Sequence, residues 1–372
     1  MDSRVIIAVM IAAIVVVGAV SAIVLLDEDE SAGGTVYYVV IPPANMRDAL
    51  ATGEVDGYIA WEPYVSDSVV GGVGKVVLWS DEIMADHPCC VVAVRNAFAA
   101  SAEGQELTTR FIAAHIETTE WMIEALDHTS SADYDKLVAM AVDFTERNES
   151  VVKEAFKHLQ YKYQMDSDFI SALEHFTQMY NDTGILDPSK ITERGYDSIS
   201  DFVNTYVNET YVEDAESIEP SSTILNPNSP IRLGYLAGDL HQLAQFVAMN
   251  ATMVDGSKSI FEKYGLNVKK APGAPFAVGG AVMTAFSAGT VDIGYLGAPP
   301  AILNHLNAAV DTSIIAQANS EGSGIVVGAD AEVDGLRDMV NMTVAIPGTS
   351  SIQFLLLKTA LEERGLELEI KT

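Results

Sequence analysis

Apolar residues fill every position from Val5 to Leu26 except Gly18 and Ser21, and no other stretch of the chain matches that run. Its length predicts a helix able to cross a bilayer. Arg4 precedes it and Asp27, Glu28, Asp29 and Glu30 follow. The basic flank stays inside, so the expectation is a single-pass anchor in the cell membrane, with the remaining chain extracytoplasmic. A cleaved signal peptide, with small Ala19 and Ala22 near its end, is the alternative.

Past Ser31 the pattern breaks into short apolar runs separated by turn residues. VYYVVIPP predicts a strand closed by a Pro-Pro turn. Asn45 is placed to cap a helix from about Met46 to the stop at Gly53. Strands follow at Val55–Ala60, Lys75–Trp79 and Cys89–Val94, with Pro63 opening a helix. Strands alternating with short helices imply a mainly parallel sheet. From about Gly104 to Tyr211 the spacing turns helical, as Phe111, Ile112, Ile116, Trp121, Met122 and Ile123 illustrate. An acidic, Ser- and Pro-rich connector ends that block. Strand signals then resume at Ile231–Tyr235, Val268–Lys270, Val291–Gly294, Thr312–Ala318, Ile325–Val327, Met342–Ile346 and Leu366–Ile370.

Two patterns occur twice. ALATGEVDGYIAWEP (Ala49 to Pro63) and AFSAGTVDIGYLGAP (Ala285 to Pro299) share Ala, Gly four positions on, Val-Asp, and a closing Pro. FEKYGLNVKK (Phe261 to Lys270) and LEERGLELEI (Leu361 to Ile370) share a helix end, a Gly and a strand. Repeats of this kind predict two similar lobes. One lobe holds its two elements in order; the other has them at opposite ends of the chain. A circular permutation explains that order, and a piece cut from a tandem array is the alternative. The expected division is 1–30 anchor, 35–104 second part of lobe 2, 105–212 helical block, 213–229 linker, 230–330 lobe 1, and 331–372 first part of lobe 2.

Composition narrows the partners. A formal charge of -31 argues against nucleic acid, whose phosphates need a basic footprint. The only cysteines, Cys89 and Cys90, are adjacent, which suits neither ordinary disulfide geometry nor a structural zinc site, so both are expected to fill the core. No nucleophile–base–acid set, metal motif or cofactor motif is legible, so neither enzyme activity nor a metal nor a cofactor is expected.

The segments IRLGYLAG, GAVMTAFSAGTVDIGYLGAPPAI, VAIPGTSSIQFLLLKTALEERGL, IPPANMRDALATGEVDGYIAWEPY and HPCC, taken in that cyclic order, resemble the solute-binding proteins of ABC importers for nitrate, sulfonate, taurine and bicarbonate. Binders of thiamine-precursor pyrimidines are among their relatives. The resemblance implies an α/β, two-lobed, periplasmic-binding-protein-like clamshell; with the helical block and the apolar run at the N-terminus, the expected fold is that clamshell, circularly permuted, with an added helical block and preceded by one transmembrane helix. It implies capture of a small anionic or zwitterionic solute and delivery to an ABC permease and its ATPase. A pyrimidine-binding or biosynthetic protein on the same fold, and a ligand-sensing ectodomain, are the alternatives.

Ligands of open α/β sheets lie beyond the carboxyl ends of strands. Four turns there carry the candidate site: Gly238, Asp239, His241 and Gln242; Gly297, Ala298 and Pro299; Asn319 and Glu321; and Gly348, Thr349, Ser350 and Ser351. Small residues let backbone N–H groups approach, and helix N-termini favour an anion. Ser350 and Ser351 add hydroxyls, while Thr349 or Ser350 could equally serve as a plain N-cap. By resemblance Trp61 and Glu62 face the cleft, Trp61 to cover the ligand and Glu62 to pair with an ammonium group; core packing is the alternative for Trp61. Asp56 and Asp292, at matching repeat positions, are expected to bond backbone at a strand start.

Overall fold

The computed structural model describes residues 33–250 and 258–372, and all that follows belongs to the unit Thr35–Thr372. Thirteen strands are found among the described residues: β1 (Thr35–Val40), β2 (Gly57–Trp61), β3 (Gly74–Trp79), β4 (Cys90–Arg95), β5 (Leu159–Tyr161), β6 (Ile231–Gly234), β7 (Val268–Lys270), β8 (Ile293–Gly297), β9 (Thr312–Gln317), β10 (Asn319–Glu321), β11 (Ser323–Gly328), β12 (Thr343–Ile346) and β13 (Glu367–Ile370). They form a six-stranded sheet ordered β13-β1-β12-β2-β11-β3, a five-stranded sheet ordered β7-β6-β8-β4-β9, and the small pair β10-β5.

The expected mainly parallel arrangement is found in two sheets, each with every strand but one running the same way. β13, β1, β12 and β2 run parallel, and so do β7, β6 and β8. In each sheet one strand arrives from the other lobe and runs against its neighbours: β11 between β2 and β3, β4 between β8 and β9. β2 is buried along its whole length and β4 at every position but Arg95, so neither shows the alternation of a half-exposed strand.

The sequence repeats are repeats of structure. Gly53 and Gly289 both hold left-handed backbone, at φ 73° and 67°, where their helices stop. Asp56 exchanges two bonds with Thr343, the first residue of β12: its N–H donates to the Thr343 carbonyl (2.9 Å) and its Oδ2 accepts from the Thr343 N–H (2.7 Å). Asp292 does the same with Arg232 of β6, at 2.9 and 3.0 Å. Asp292 also takes the guanidinium groups of Arg232 (2.6 Å) and Arg95 (2.7 Å). The larger sheet draws β1, β2 and β3 from one side of the sequence and β11, β12 and β13 from the other. β1 and β13 lie side by side in parallel, Thr35 opposite Glu367 and Tyr38 opposite Ile370, so the larger sheet carries one strand more than its counterpart.

Several local expectations shift. The first helix spans Pro43–Thr52, not Met46 onward, because Pro43 supplies the helical φ of its opening position and Asn45 falls inside the first turn. The block from Ala102 to Ala215 is helical except for β5, which pairs with β10. The transmembrane helix of the expected fold is also corrected. No helix among the described residues is long and apolar enough to cross a membrane, and Val5–Leu26 lies outside them. Single-pass anchoring, a membrane partner contacted through that helix, and the extracytoplasmic location inferred from it are therefore not supported.

Candidate functional site

Two chain segments cross between the sheets side by side, one leading into β4 and the other through β10 into β11. Their backbones interlock: Cys89 N–H donates to the Asn319 carbonyl (3.2 Å) and Glu321 N–H to the His87 carbonyl (3.0 Å). The Asn319 side chain accepts from Cys90 N–H at 2.9 Å, and Glu321 accepts from Asp86 N–H at 2.7 Å. Asn319 and Glu321 thus tie the crossing together.

Beside this crossing lies a cavity of about 100 Å³. One sheet contributes Trp61, at the end of β2, and the Pro347–Gln353 turn after β12. The other contributes Leu236 after β6, Gly297 at the end of β8, and Gly279 and Gly280. Three helices begin at its wall, Gly279–Ser287, Ala298–Ala308 and Ile352–Glu362. The first N–H groups of a helix have no partner within it and carry its positive pole; the Ala298 helix keeps only the pole, because Ala298 N–H donates to the Cys89 carbonyl (2.9 Å) and Pro299 and Pro300 have no N–H. Among the described residues no Lys or Arg lines the cavity. The indole Nε1 of Trp61 is buried without a hydrogen-bond partner among the described residues, and its ring packs edge-on against Tyr64.

The predicted residues separate. Trp61, Asp239, His241 and Gly297 line the cavity, as do Gly348, Ser350 and Ser351. Gly238, Ala298, Pro299 and Thr349 do not, although each adjoins a residue that does. Ser351, rather than Thr349 or Ser350, is the N-cap: its Oγ accepts from Phe354 N–H (3.2 Å) and donates to the Gly348 carbonyl (2.7 Å). Glu62 turns away and is fully buried, its carboxylate accepting from the Ser66 N–H (3.0 Å) and hydroxyl (2.7 Å). Burial pushes its pKa up to about 7, against the lowering effect of the Ser66 bonds. Gln242 braces the site from behind: its Oε1 accepts from Leu236 N–H (2.8 Å) and its Nε2 donates to Asp239 Oδ2 (2.9 Å).

Sequence reasoning assigned Cys89 and Cys90 to the core. Both are buried, but both also line the cavity, and the fold sets His241 against them. Cys89 Sγ lies 3.1 Å from His241 Nδ1, and the other ring nitrogen lies 3.0 Å from the Gly322 carbonyl. Both histidine nitrogens are therefore engaged. Asp239 Oδ1 accepts from the His241 N–H at 3.0 Å. Burial alone would lower the His241 pKa, but the charges of Cys89 and Asp239 hold it up at about 9. Cys90's hydrogen bond, with His241's charge, holds the Cys89 thiol well below its ordinary range; burial pushes Cys90 well above. Gln353 was also missed. It stands on an apolar helix and donates to the Ser323 hydroxyl at 2.9 Å, a pairing that only the fold creates.

The chain matches the NMT1-like family over residues 26–137 and 227–372, together well over half its length. It belongs to the NMT1-like family. This family is part of the periplasmic-binding-protein-like superfamily of ABC solute-binding proteins, and its members are non-catalytic proteins of solute binding and transport. The matched segments leave out most of the helical block between them. No curated protein and no solved structure matches the chain.

Proposed function

We propose that the cavity captures a small solute bearing a compact anionic group, a sulfonate, carboxylate or similar oxyanion, as the receiving component of an importer. The observation that carries this reading is the convergence of three helix starts on one cavity, two of which, at Gly279 and Ile352, open with first-turn N–H groups, while the Ala298 helix adds its dipole alone. Orphan N–H groups and aligned helix dipoles favour an oxyanion without a cationic side chain. Trp61 Nε1 supplies one further donor in need of an acceptor. The small volume selects a solute of few non-hydrogen atoms.

The absence of Lys and Arg from the wall, together with the Trp61 ring, favours a second reading: a small neutral heteroaromatic such as a pyrimidine. A thermal-shift panel separates the two. Taurine, short alkanesulfonates, nitrate and bicarbonate form one arm and hydroxymethylpyrimidine the other. A ligand at about a hundred times its Kd adds about 2.7 kcal/mol of stability, which such a panel resolves. Stabilisation in the first arm without turnover supports the anion reading; stabilisation by the pyrimidine alone replaces it, and no response in either arm sinks both.

The same reading takes the chain as a cyclic rearrangement of the family's order, with β1 as the added strand. A rearranged chain that starts at Ile231 and links Thr372 to Thr35 should then fold and bind the same solute. The linker must span a strand's length, because β13 and β1 run parallel. Loss of folding in that chain would count against the rearrangement.

A further inference from the structure

Cys89, Cys90 and His241 offer two sulfurs and an imidazole nitrogen that all lie within 4.8 Å of one another at the cavity wall. A tetrahedral ion with metal–sulfur bonds of about 2.3 Å and metal–nitrogen bonds of about 2.0–2.1 Å sets its ligand atoms roughly 3.5–3.8 Å apart. The 3.1 Å between Cys89 Sγ and His241 Nδ1 and the 4.8 Å bound on the whole set bracket that spacing.

The histidine ring is already oriented as a metal requires. A carbonyl oxygen can only accept, so the 3.0 Å contact with Gly322 puts the proton of a neutral His241 on Nε2. Its Nδ1 lone pair is then left facing the Cys89 sulfur. A backbone carbonyl that fixes the remote nitrogen in this way is the usual outer support of a metal-bound histidine. Gly322 itself keeps the ring in place: it holds left-handed backbone at φ 80°, and a Cβ there would lie 2.5 Å from His241 Nε2. Two sulfurs and an imidazole form a soft donor set, which selects Zn²⁺ or Cu⁺ over Mg²⁺ or Ca²⁺.

We propose that Cys89, Cys90 and His241 form a three-ligand site for a soft or borderline transition-metal cation, Zn²⁺ or Cu⁺, on the wall of the cavity. Binding displaces two protons to solvent, one from the Cys90 thiol and one shared by the Cys89–His241 pair, and the fourth position faces the cavity. Metal binding at this site does not rest on the solute reading, because it is measured on the protein with no solute present.

The test is titration of the reduced full-length protein with Co²⁺ under argon, followed by Zn²⁺. The expected result is one Co²⁺ per chain, with sulfur-to-cobalt charge-transfer absorption of two-thiolate intensity that Zn²⁺ abolishes. C89S, C90S and H241A should each weaken Co²⁺ binding at least about tenfold, with circular dichroism unchanged. If a variant fails to fold, the wild-type spectrum still decides, since these are the only two cysteines in the chain. Absence of thiolate bands, or bands of one-thiolate intensity, overturns the site. A solute response that persists in metal-free protein leaves the solute reading standing whatever the metal result.

Discussion

Nδ1 of His241 sits 3.1 Å from the sulfur of Cys89, across 152 positions of sequence. The contact joins the turn after β6 to the segment that crosses between the sheets, so the cavity wall and the crossing share one buried polar cluster. Any movement of one sheet against the other must work around this cluster.

Gly322 is the first place to test it. Gly322→Ala places a methyl against the His241 ring and forces an L-residue into left-handed backbone. The two effects together should cost about 2–4 kcal/mol. Chemical denaturation measures the loss; a change under about 0.5 kcal/mol would show that the ring is not held there.

Glu62 predicts a pH dependence. Its folded pKa of about 7 stands above the ordinary 4.5, so the fold favours the protonated acid. Its contribution is intact below about pH 4.5 and declines as pH rises through about 7. Glu62→Gln removes that titration. The variant should gain on the wild type between pH 5 and pH 8 by an amount on the order of 2–3 kcal/mol. Urea melts of both proteins at the two pH values check this, and parallel behaviour would refute it.

Asp56 and Asp292 occupy equivalent positions with unequal loads. Each accepts from the backbone of a central strand, but Asp292 also neutralises Arg232 and Arg95. Asp56→Ala should cost about 1 kcal/mol and Asp292→Ala about 3 kcal/mol, because the second leaves two guanidinium groups without their carboxylate. Equal losses in denaturant would mean the arginines find other partners.

Trp61 separates packing from recognition. Trp61→Phe keeps most of the apolar surface and removes only the N–H that lacks a partner. On the solute reading it should weaken binding about tenfold and leave Tm nearly unchanged. Calorimetric titration with the solute found in the panel measures the first, and a thermal melt the second. Undiminished affinity would remove Trp61 Nε1 from the site.

Most elements were legible because their signals are local. Gly53 and Gly289 end helices through their own backbone freedom, and Asp56 and Asp292 stood out by recurring at one offset. The turns at Gly297 and Gly348 were legible as turns before helix starts, since small residues there leave the backbone approachable, and both line the cavity. The direction of β4 and β11 was not, because a strand's own residues do not encode which neighbour it meets.

The sequence by itself determined the alternation of strands and helices, the doubled pattern and the solute-binding superfamily, since periodicity, Gly and Pro conformations and repeated spacing are all properties of short segments. Only the tertiary structure decided that Glu62 is buried on Ser66, that Asn319 and Glu321 bind the crossing together, and that Cys89, Cys90 and His241 meet. Each of those depends on which distant segments two sheets bring into contact, and at hydrogen-bond range a few ångströms separate a core residue from a ligand.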